Sequence, residues 1–144
     1  MDYRRMTLPE DEEVPLLNAI LRSSEVARYL SIDSENYWNY VTSTEGVGYF
    51  KAYDGGQLVG ALHLEVSGRT LFLSIMVAPK AQRRGYATAM LRDVQSGRFP
   101  VDFDEISVSI DVGNLASVAL FTKMGFTPVS SDGELRNYIY RRQA

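Results

Sequence analysis

The sequence has no cysteine and only one histidine, His63, among its 144 residues. Without cysteine the chain can form no disulfide and no thiolate metal site, and it has no thiol to carry a covalent intermediate. A single histidine also argues against a metal site built from protein ligands. We therefore expect no metal.

The chain also lacks long apolar stretches and a large basic region. No run of about 18 apolar residues and no basic-then-apolar leader is present, so we expect neither a membrane span nor a signal peptide, and a cytoplasmic location. The net charge is −3, and no basic surface larger than the Arg83–Arg84 pair is evident. This balance argues against membrane and nucleic acid as partners.

What is present matches one compact domain. Hydrophobic residues make up 45% of the chain and charged residues 23%, and 144 residues are enough for a substantial core. We find no repeat, linker or low-complexity segment. The sequence therefore predicts a single domain spanning residues 1–144.

The most informative segment is the turn that follows the apolar, β-rich run Thr70–Val77. Pro79 ends the strand because proline cannot donate to a β ladder. Arg83 and Arg84 add positive charge, and Gly85 allows the backbone to approach a ligand closely. The free N–H groups of a following helix would point at the same place, which favours an anion. The alternative is an ordinary strand-to-helix connection with solvated arginines.

A helix after this turn is predicted by its apolar spacing. Ala87, Met90, Leu91 and Val94 fall at i, i+3, i+4 and i+7, which is typical of one buried stripe. Gly97 stands where a C-terminal cap is expected. Strand, anion turn and helix are thus contiguous.

The first part of the chain predicts a short strand and two helical stretches. Asp2–Thr7 is the expected strand, and the acidic run Glu10–Glu13 is expected to form the first turn of a helix. The apolar side of that helix carries Val14, Leu17, Ile20 and Leu21. The second stretch includes Tyr29, Tyr37, Trp38 and Tyr40, which favours core packing over the alternative of a lid on a ligand.

Three antiparallel strands in series are predicted next. Gly48–Tyr53 and Gln57–Val66 flank Asp54-Gly55-Gly56, a hairpin signal. Ser67-Gly68 then turns the chain into the strand that ends at Val77.

The last part predicts three strands and one helix. Glu105–Val112 alternates, with apolar residues at even numbers, as in a half-buried strand. Leu115–Met124 is expected to be a mostly buried helix, capped by Asn114 and Gly125. Two final strands, Phe126–Val129 and Arg136–Arg141, surround a predicted turn at Ser130-Ser131-Asp132-Gly133.

Two motifs in this order of elements resemble the GCN5-related N-acetyltransferase (GNAT) family over nearly the whole chain. The order is β-α-α-β-β-β-α-β-α-β-β. The motifs are Gln82-x-x-Gly85-x-Ala87 after the fourth strand and Asn114-x-x-Ser117-x-x-Leu120-Phe121-x-x-x-Gly125-Phe126 after the fifth. The resemblance implies a mixed α/β domain with a mostly antiparallel sheet of six to seven strands, splayed between strands 4 and 5 and flanked by about four helices.

The resemblance also implies a reaction and a cosubstrate. Acetyl-CoA would lie between the splayed strands, and its acetyl group would pass directly to a primary amine of a small molecule or peptide. A homodimer through the last strands is expected by analogy with the family.

Residues matching the family's coenzyme A site follow from the motifs. The pyrophosphate turn matches Gln82, Arg83, Arg84, Gly85, Tyr86, Ala87 and Thr88. The strand that pairs with the pantetheine arm matches Met76, Val77 and Ala78. Positions that orient the cofactor arm or line the thioester or nucleotide end match Asn114, Ser117, Phe121 and Lys123. Asn114 is also a sufficient helix cap, and Phe121 a sufficient core residue.

The family's usual acid and base are both absent from their expected positions. Phe121 occupies the position of the tyrosine that protonates the leaving thiolate, Ser109 occupies a fifth-strand base position, and Leu71–Val77 contains no carboxylate. Glu65 is our first candidate for the proton acceptor, against a surface carboxylate, and His63 shares its strand face. Asp111 shares a face with Ser109, while Tyr138 could act as an acid or pack in the core.

These departures leave a second function open, a protein that binds acyl-CoA with weak or no turnover and serves as a sensor or partner subunit. A nucleotide-binding domain of P-loop or dinucleotide type is not supported, because the sequence has neither of their glycine motifs.

Overall fold

The computed structural model describes residues 1–22 and 34–142, and their strands form one sheet in the order β1-β2-β3-β4-β5-β7-β6. The strands are β1 Asp2–Arg5, β2 Val47–Asp54, β3 Gln57–Ser67, β4 Thr70–Val77, β5 Glu105–Asp111, β6 Thr127–Asp132 and β7 Leu135–Arg141. The described helices are α1 Val14–Arg22, α2 Ser34–Ser43, α3 Tyr86–Gln95 and α4 Leu115–Lys123, with a short 3₁₀ turn at Pro79–Ala81. Tyr29 lies outside the described residues.

All neighbouring strands are antiparallel except β4 and β5, which run parallel. This confirms the expected mixed α/β fold with a mostly antiparallel sheet. The β4–β5 pairing is short, because it joins only Thr70–Phe72 to Glu105–Ser107. Beyond that point β4 continues beside β3, and β5 beside β7. The sheet therefore splits between its fourth and fifth strands, as the resemblance implied.

The two faces of the sheet are covered by different helices. On one face, Met90, Leu91 and Val94 of α3 pack into a large buried cluster with residues of β3, β4 and β5. On the other, Leu17 and Ile20 of α1 pack with α2 and β2 in a second buried cluster. The predicted apolar stripes of both helices are therefore confirmed.

The aromatic residues of α2 divide between core and surface. Trp38 is buried in the second cluster and lies edge-on to Tyr49, with ring centroids 5.2 Å apart. This confirms core packing for Trp38. Tyr40 is exposed, and its hydroxyl contacts β3 instead.

The acidic run does not form the first turn of α1, so that prediction was wrong. The helix begins at Val14, and the preceding carboxylates have another partner. Lys51 Nζ of β2 lies 2.7 Å from Asp11 Oδ2 and 2.9 Å from Glu13 Oε1, and Tyr53 also donates to Glu13. Because Lys51 is only 6% exposed, its charge needs this compensation.

The expectation of a mostly buried α4 was also wrong. Phe121 is the buried residue of this helix, whereas Leu115 is 74% exposed. The helix runs beside the split in the sheet, so part of its apolar surface faces an open space rather than packed side chains.

The turn of the β2–β3 hairpin lies where the sequence predicted it, whereas the turn of the β6–β7 hairpin does not. Gly55-Gly56 connects β2 to β3, within the predicted turn. The last hairpin turns at Gly133-Glu134 instead of residues 130–133, because Ser130, Ser131 and Asp132 pair with β7. The alternation in β5 is confirmed, since Ile106, Val108 and Ile110 are buried.

Within the described ranges, no helix has both the length and the apolar character needed to cross a membrane.

Candidate active site

A cavity of about 950 Å³ opens where β4 and β5 part. Its two walls are residues 73–77 of β4 and 108–111 of β5. The turn into α3 lines it as well, and so do residues 113–117 with Leu120 and Phe121 of the α4 region. The two sequence motifs, about 30 residues apart in the chain, therefore meet at one cavity.

The backbone of the turn into α3 is shaped for an anion. Gly85 is the N-cap of α3, with a left-handed φ of 80°, and Arg83 has a φ of 65°. The first N–H groups of a helix have no acceptor within the helix, and Gly85 has no side chain to cap them. These donors and the positive end of the helix dipole favour a bound anion at the cavity end.

Two side chains of the turn tie it to the sheet. Gln82 Nε2 donates to the Val77 carbonyl oxygen at 3.3 Å. Tyr86 donates its hydroxyl to Asp54 Oδ2, at 2.5 Å, where the β2–β3 hairpin turns. Strand and hairpin therefore both position the turn.

The β4 wall presents an unpaired backbone edge to the cavity. Residues 73–77 have β3 as a partner on one side and, within the described chain, no strand partner on the β5 side. An extended ligand can pair with such an edge. On its other side β4 packs closely against Gly60 of β3. A Cβ at that position would lie 2.2 Å from the Met76 carbonyl oxygen.

Most residues that match the family's coenzyme A site line this cavity. They are Met76, Val77, Gln82, Arg83, Gly85, Tyr86, Ala87, Thr88, Asn114, Ser117 and Phe121. Ala78, Arg84 and Lys123 are not among the lining residues. Ala78 instead donates its backbone N–H to the Val59 carbonyl oxygen at 2.8 Å.

Asn114 and Phe121 each have a structural role as well as a place at the cavity. Asn114 Oδ1 accepts the Ser117 N–H at 3.2 Å, which is the predicted cap. Phe121 lies edge-on to Phe126, with centroids 5.0 Å apart, and is 7% exposed. Both therefore hold α4 in place beside the cleft.

A second group of polar residues lies one strand away from the cavity. His63 and Glu65 share a face of β3, as predicted, and are not among the lining residues. His63 is paired with Ser74 of the β4 wall, and Glu65 with Phe72. Ser74 lines the cavity, so His63 lies next to the wall on the α2 side of the sheet.

Two tyrosines of α2 complete this group. The Tyr37 hydroxyl oxygen is 2.7 Å from His63 Nδ1. His63 Nε2 is 3.3 Å from Glu65 Oε1, to which Tyr40 also donates at 2.6 Å. Sequence spacing paired the two β3 residues, but it carried no signal for which tyrosine reaches which atom.

Burial sets the charge state of this group. It lowers the pKa of His63, against the opposing effect of the Glu65 hydrogen bond and charge. It also raises the pKa of Tyr37, with a further contribution from the Glu65 charge. At neutral pH the imidazole is therefore neutral and the Tyr37 phenol protonated, and His63 can accept a proton.

The remaining candidates divide between cavity and core. Ser109 and Asp111 of β5 line the cavity, and each is hydrogen-bonded. Ser109 donates to Asn137 Oδ1 at 2.6 Å, and Asp111 Oδ1 accepts the Gly113 N–H at 2.8 Å. Tyr138 is 3% exposed and belongs to the main core, which confirms the core alternative for it.

Solved structures share this architecture. A spermidine N-acetyltransferase from Vibrio cholerae, in complex with CoA and spermine, has a TM-score of 0.81 at 16% identity, covering 98% of this chain and 95% of that one. The Campylobacter jejuni N-acetyltransferase PseH, in complex with acetyl coenzyme A, has a TM-score of 0.76 at 10% identity, covering 99% and 100%. At these identities the likeness shows the fold.

Sequence comparison identifies the family. Curated proteins give no significant match, but the model of the Acetyltransferase (GNAT) family matches residues 14–126. That range contains the split strands, the anion turn and α4. The chain therefore belongs to the GNAT family of acetyltransferases.

Proposed function

We propose that this acyltransferase moves the acetyl group of acetyl-CoA directly to a primary amine of a small molecule or peptide. The observation that carries the proposal is the split between β4 and β5, which opens onto the anion-binding backbone at Gly85. A cofactor with a diphosphate and a long extended arm fits this combination of helix terminus and unpaired strand edge.

Each part of the cofactor has a proposed place. The turn from Gln82 to Thr88 holds the pyrophosphate through backbone N–H groups and the Arg83 side chain. The pantetheine arm lies along Met76–Ala78, and the α4 cap Asn114 faces it across the cavity together with Ser117 and Phe121 of α4. Arg84 and Lys123 stay candidates for the outer phosphates and the nucleotide.

The absence of cysteine leaves direct transfer as the proposed route. The amine nitrogen attacks the thioester carbon, the C–N bond forms, and the C–S bond breaks as CoA thiolate departs. We assign the Val77 N–H to the developing oxyanion, because it belongs to the β4 wall beside the thioester path. A thiolate with a thiol pKa near ~8.5, by analogy with cysteine, leaves without full protonation.

The amine needs a proton acceptor. A lysine-type amine with a pKa near ~10.4 must lose a proton before attack, which costs roughly 4.6 kcal/mol at pH 7. Glu65 remains our first candidate for this proton acceptor, and its carboxylate accepts from Tyr40 and contacts His63.

One observation favours the second function, acyl-CoA binding with weak turnover. Phe121 lines the cavity without a hydroxyl, and β4 contributes no carboxylate to its wall. A missing general acid slows catalysis by about 100- to 10,000-fold. Under this alternative the protein would bind acyl-CoA and release its thiol only slowly.

Thiol release and acetyl-CoA binding, measured side by side, separate the two functions. We expect micromolar calorimetric binding of acetyl-CoA and release of free CoA thiol with at least one amine in a panel. The panel should contain α-amino acids, lysine peptides, arylalkylamines and spermidine, the last because one similar structure is named for it. Binding without thiol release across the panel would establish the second function, and no binding would exclude both.

A further inference from the structure

The four polar side chains on the α2 side of β3 form one continuous hydrogen-bonded chain. It runs from the Tyr37 hydroxyl to His63 Nδ1 over 2.7 Å, and from His63 Nε2 to Glu65 Oε1 over 3.3 Å. Tyr40 donates to the same carboxylate oxygen from the far side. His63 is thus held between a phenol and a carboxylate.

The chemistry of the partners defines the direction of each hydrogen bond. An ionised carboxylate only accepts, so Nε2 of the neutral imidazole carries the hydrogen and donates it to Glu65. Nδ1 then has a free lone pair, which accepts the Tyr37 hydroxyl hydrogen. In this tautomer the unprotonated ring nitrogen, Nδ1, is the one that faces Tyr37.

We propose that the proton given up by the acceptor amine enters at the Tyr37 hydroxyl and is stored on His63, with Glu65 stabilising the resulting imidazolium. The inference rests on the proposed transferase function and adds a path for its proton. It gives His63 the storage role and makes Glu65 a positioning residue rather than the final proton acceptor.

The proton balance is complete along this path. The ammonium passes one proton to the Tyr37 oxygen while Tyr37 passes its own hydroxyl proton to Nδ1, which leaves a neutral amine and an imidazolium. The amine forms the C–N bond as the C–S bond breaks, and its second proton goes to the CoA sulfur. The imidazolium then returns its proton to solvent through the same hydroxyl.

The relay lies beside an open part of the cleft wall. His63 pairs with Ser74, which is exposed and lines the cavity, and Phe72 next to it is 44% exposed. In the ranges that the structure describes, helices α1 and α2 pack over β2 and β3, while Phe72 and Ser74 of β4 are exposed. An amine approaching the β4 wall from this face therefore comes next to the relay.

The titratable groups around His63 behave consistently with this role. Tyr37 and Tyr40 face it from α2, Glu65 from β3 and Tyr49 from β2, while its β4 neighbour Ser74 does not titrate. The pKa values of all three tyrosines are raised, chiefly by burial for Tyr37 and Tyr49 and by the Glu65 hydrogen bond for Tyr40. His63 itself, whose pKa is lowered mainly by burial, becomes positively charged as pH falls.

Kinetic variants test the path with a matched pair of tyrosines. Tyr37→Phe and Tyr40→Phe each remove one hydroxyl from α2, but only Tyr37 bonds to Nδ1. We expect Tyr37→Phe and His63→Gln to lower kcat about 100-fold, with acetyl-CoA affinity retained, and Tyr40→Phe to lower it less than about fivefold. Equal losses in the two tyrosine variants, or full kcat in His63→Gln, would overturn the relay.

The single histidine allows a second test that does not depend on turnover. In the untagged protein, proton NMR of the His63 ring reports its pKa without ambiguity of assignment. Glu65 raises that pKa, so Glu65→Gln should lower it. The acid limb of kcat/KM should match the NMR value in the wild type and shift with it in the variant. An acid limb that stays fixed while the NMR value moves would reject His63 as the proton store.

The outcomes separate the relay from the function on which it rests. If the wild type binds acetyl-CoA but releases no thiol, the proposed transferase function fails and the relay with it. If the wild type turns over and His63→Gln matches it, only the relay fails. If His63→Gln misfolds and loses acetyl-CoA binding, the kcat of Tyr37→Phe and the pH profile of Glu65→Gln test the relay instead. Both substitutions nearly keep the size of the side chain.

Discussion

The cavity and the polar group beside it are built in different ways. The proposed donor side uses backbone groups of one contiguous segment, from the β4 wall through the turn at Gly85 into α3. The proposed acceptor side uses side chains from α2 and β3 that lie 25 or 26 residues apart in sequence. The first is therefore local and generic in chemistry, whereas the second depends on how two elements pack.

This contrast explains why a short family motif can predict a donor site more readily than an acceptor site. A diphosphate needs N–H groups and a conformationally free residue, which a short motif can encode. An amine acceptor is recognised by a few side chains whose meeting depends on the angle of α2 against the sheet. Variation in those side chains leaves the donor motif intact.

Loss of Lys51 should have the largest effect, on the stability of the face of the sheet that α1 and α2 cover. Lys51→Met removes the contacts that join the start of α1 to β2, at 2.7 and 2.9 Å, and leaves two carboxylates without their cation. We expect the free energy of unfolding in urea at pH 7 to fall by about 2 kcal/mol, since hydrogen bonds to charged groups contribute about that much. Acetyl-CoA affinity of the folded variant should change little.

The same variant should show a characteristic pH dependence. Burial tends to raise the pKa values of Asp11 and Glu13, but hydrogen bonds from Lys51, and from Tyr53 to Glu13, outweigh it and lower both. Their stabilisation is therefore complete above the ordinary values of 3.8 and 4.5 and is lost as pH falls below them. The deficit of Lys51→Met should shrink below pH 4. Arg69→Gln, which breaks two exposed ion pairs, is the control and should change stability little.

Adding a hydroxyl at Phe121 should have the next largest effect and sharpens the chemistry of the donor side. Phe121 lines the cavity, so Phe121→Tyr places an acid where the leaving thiolate departs. We expect kcat to rise about tenfold, at the lower end of general acid catalysis. Phe126→Tyr is the matched control, because Phe126 is 2% exposed and outside the cavity lining; it should lose stability without a gain in kcat. An unchanged kcat in a stable Phe121→Tyr protein would show that protonation of sulfur does not limit turnover.

The smallest effect is expected from the arginine side chains of the proposed donor turn, because backbone N–H groups are proposed to provide most of its contacts with the phosphates. Arg83 lines the cavity and Arg84 does not. We expect Arg83→Gln to weaken acetyl-CoA binding about fivefold, with less effect at high salt, and Arg84→Gln to weaken it about twofold or less. Calorimetry at two salt concentrations measures both. A larger loss in Arg84→Gln would mean that the outer arginine, rather than the cavity-lining one, holds the phosphates.

Local sequence predicted the secondary structure well where one residue type has one physical use. The stripe of α3 at Met90, Leu91 and Val94 is buried as its spacing indicated. Asn114 caps α4 through its side chain, and Gly97 and Gly125 have positive φ after the ends of their helices. Each of these depends on neighbours within about seven positions.

Predictions that depended on distant neighbours were less successful. Glu10–Glu13 looked like the first turn of a helix, because sequence alone does not show that Lys51 lies opposite Asp11 and Glu13. The apolar composition of α4 indicated burial, although part of that surface lines a cavity. The last turn moved to Gly133-Glu134 because pairing with β7 extends β6.

By itself, the sequence determined the turn at Gly85, the order of helices and strands along the chain and the absence of a thiol nucleophile, because each depends on residue identity and short-range backbone preference. The tertiary structure decided where β4 and β5 separate, which carboxylates compensate Lys51, and which tyrosine reaches His63. These are contacts between elements far apart in the chain. They follow from how whole faces of helices and strands pack, and no short stretch of sequence encodes that geometry.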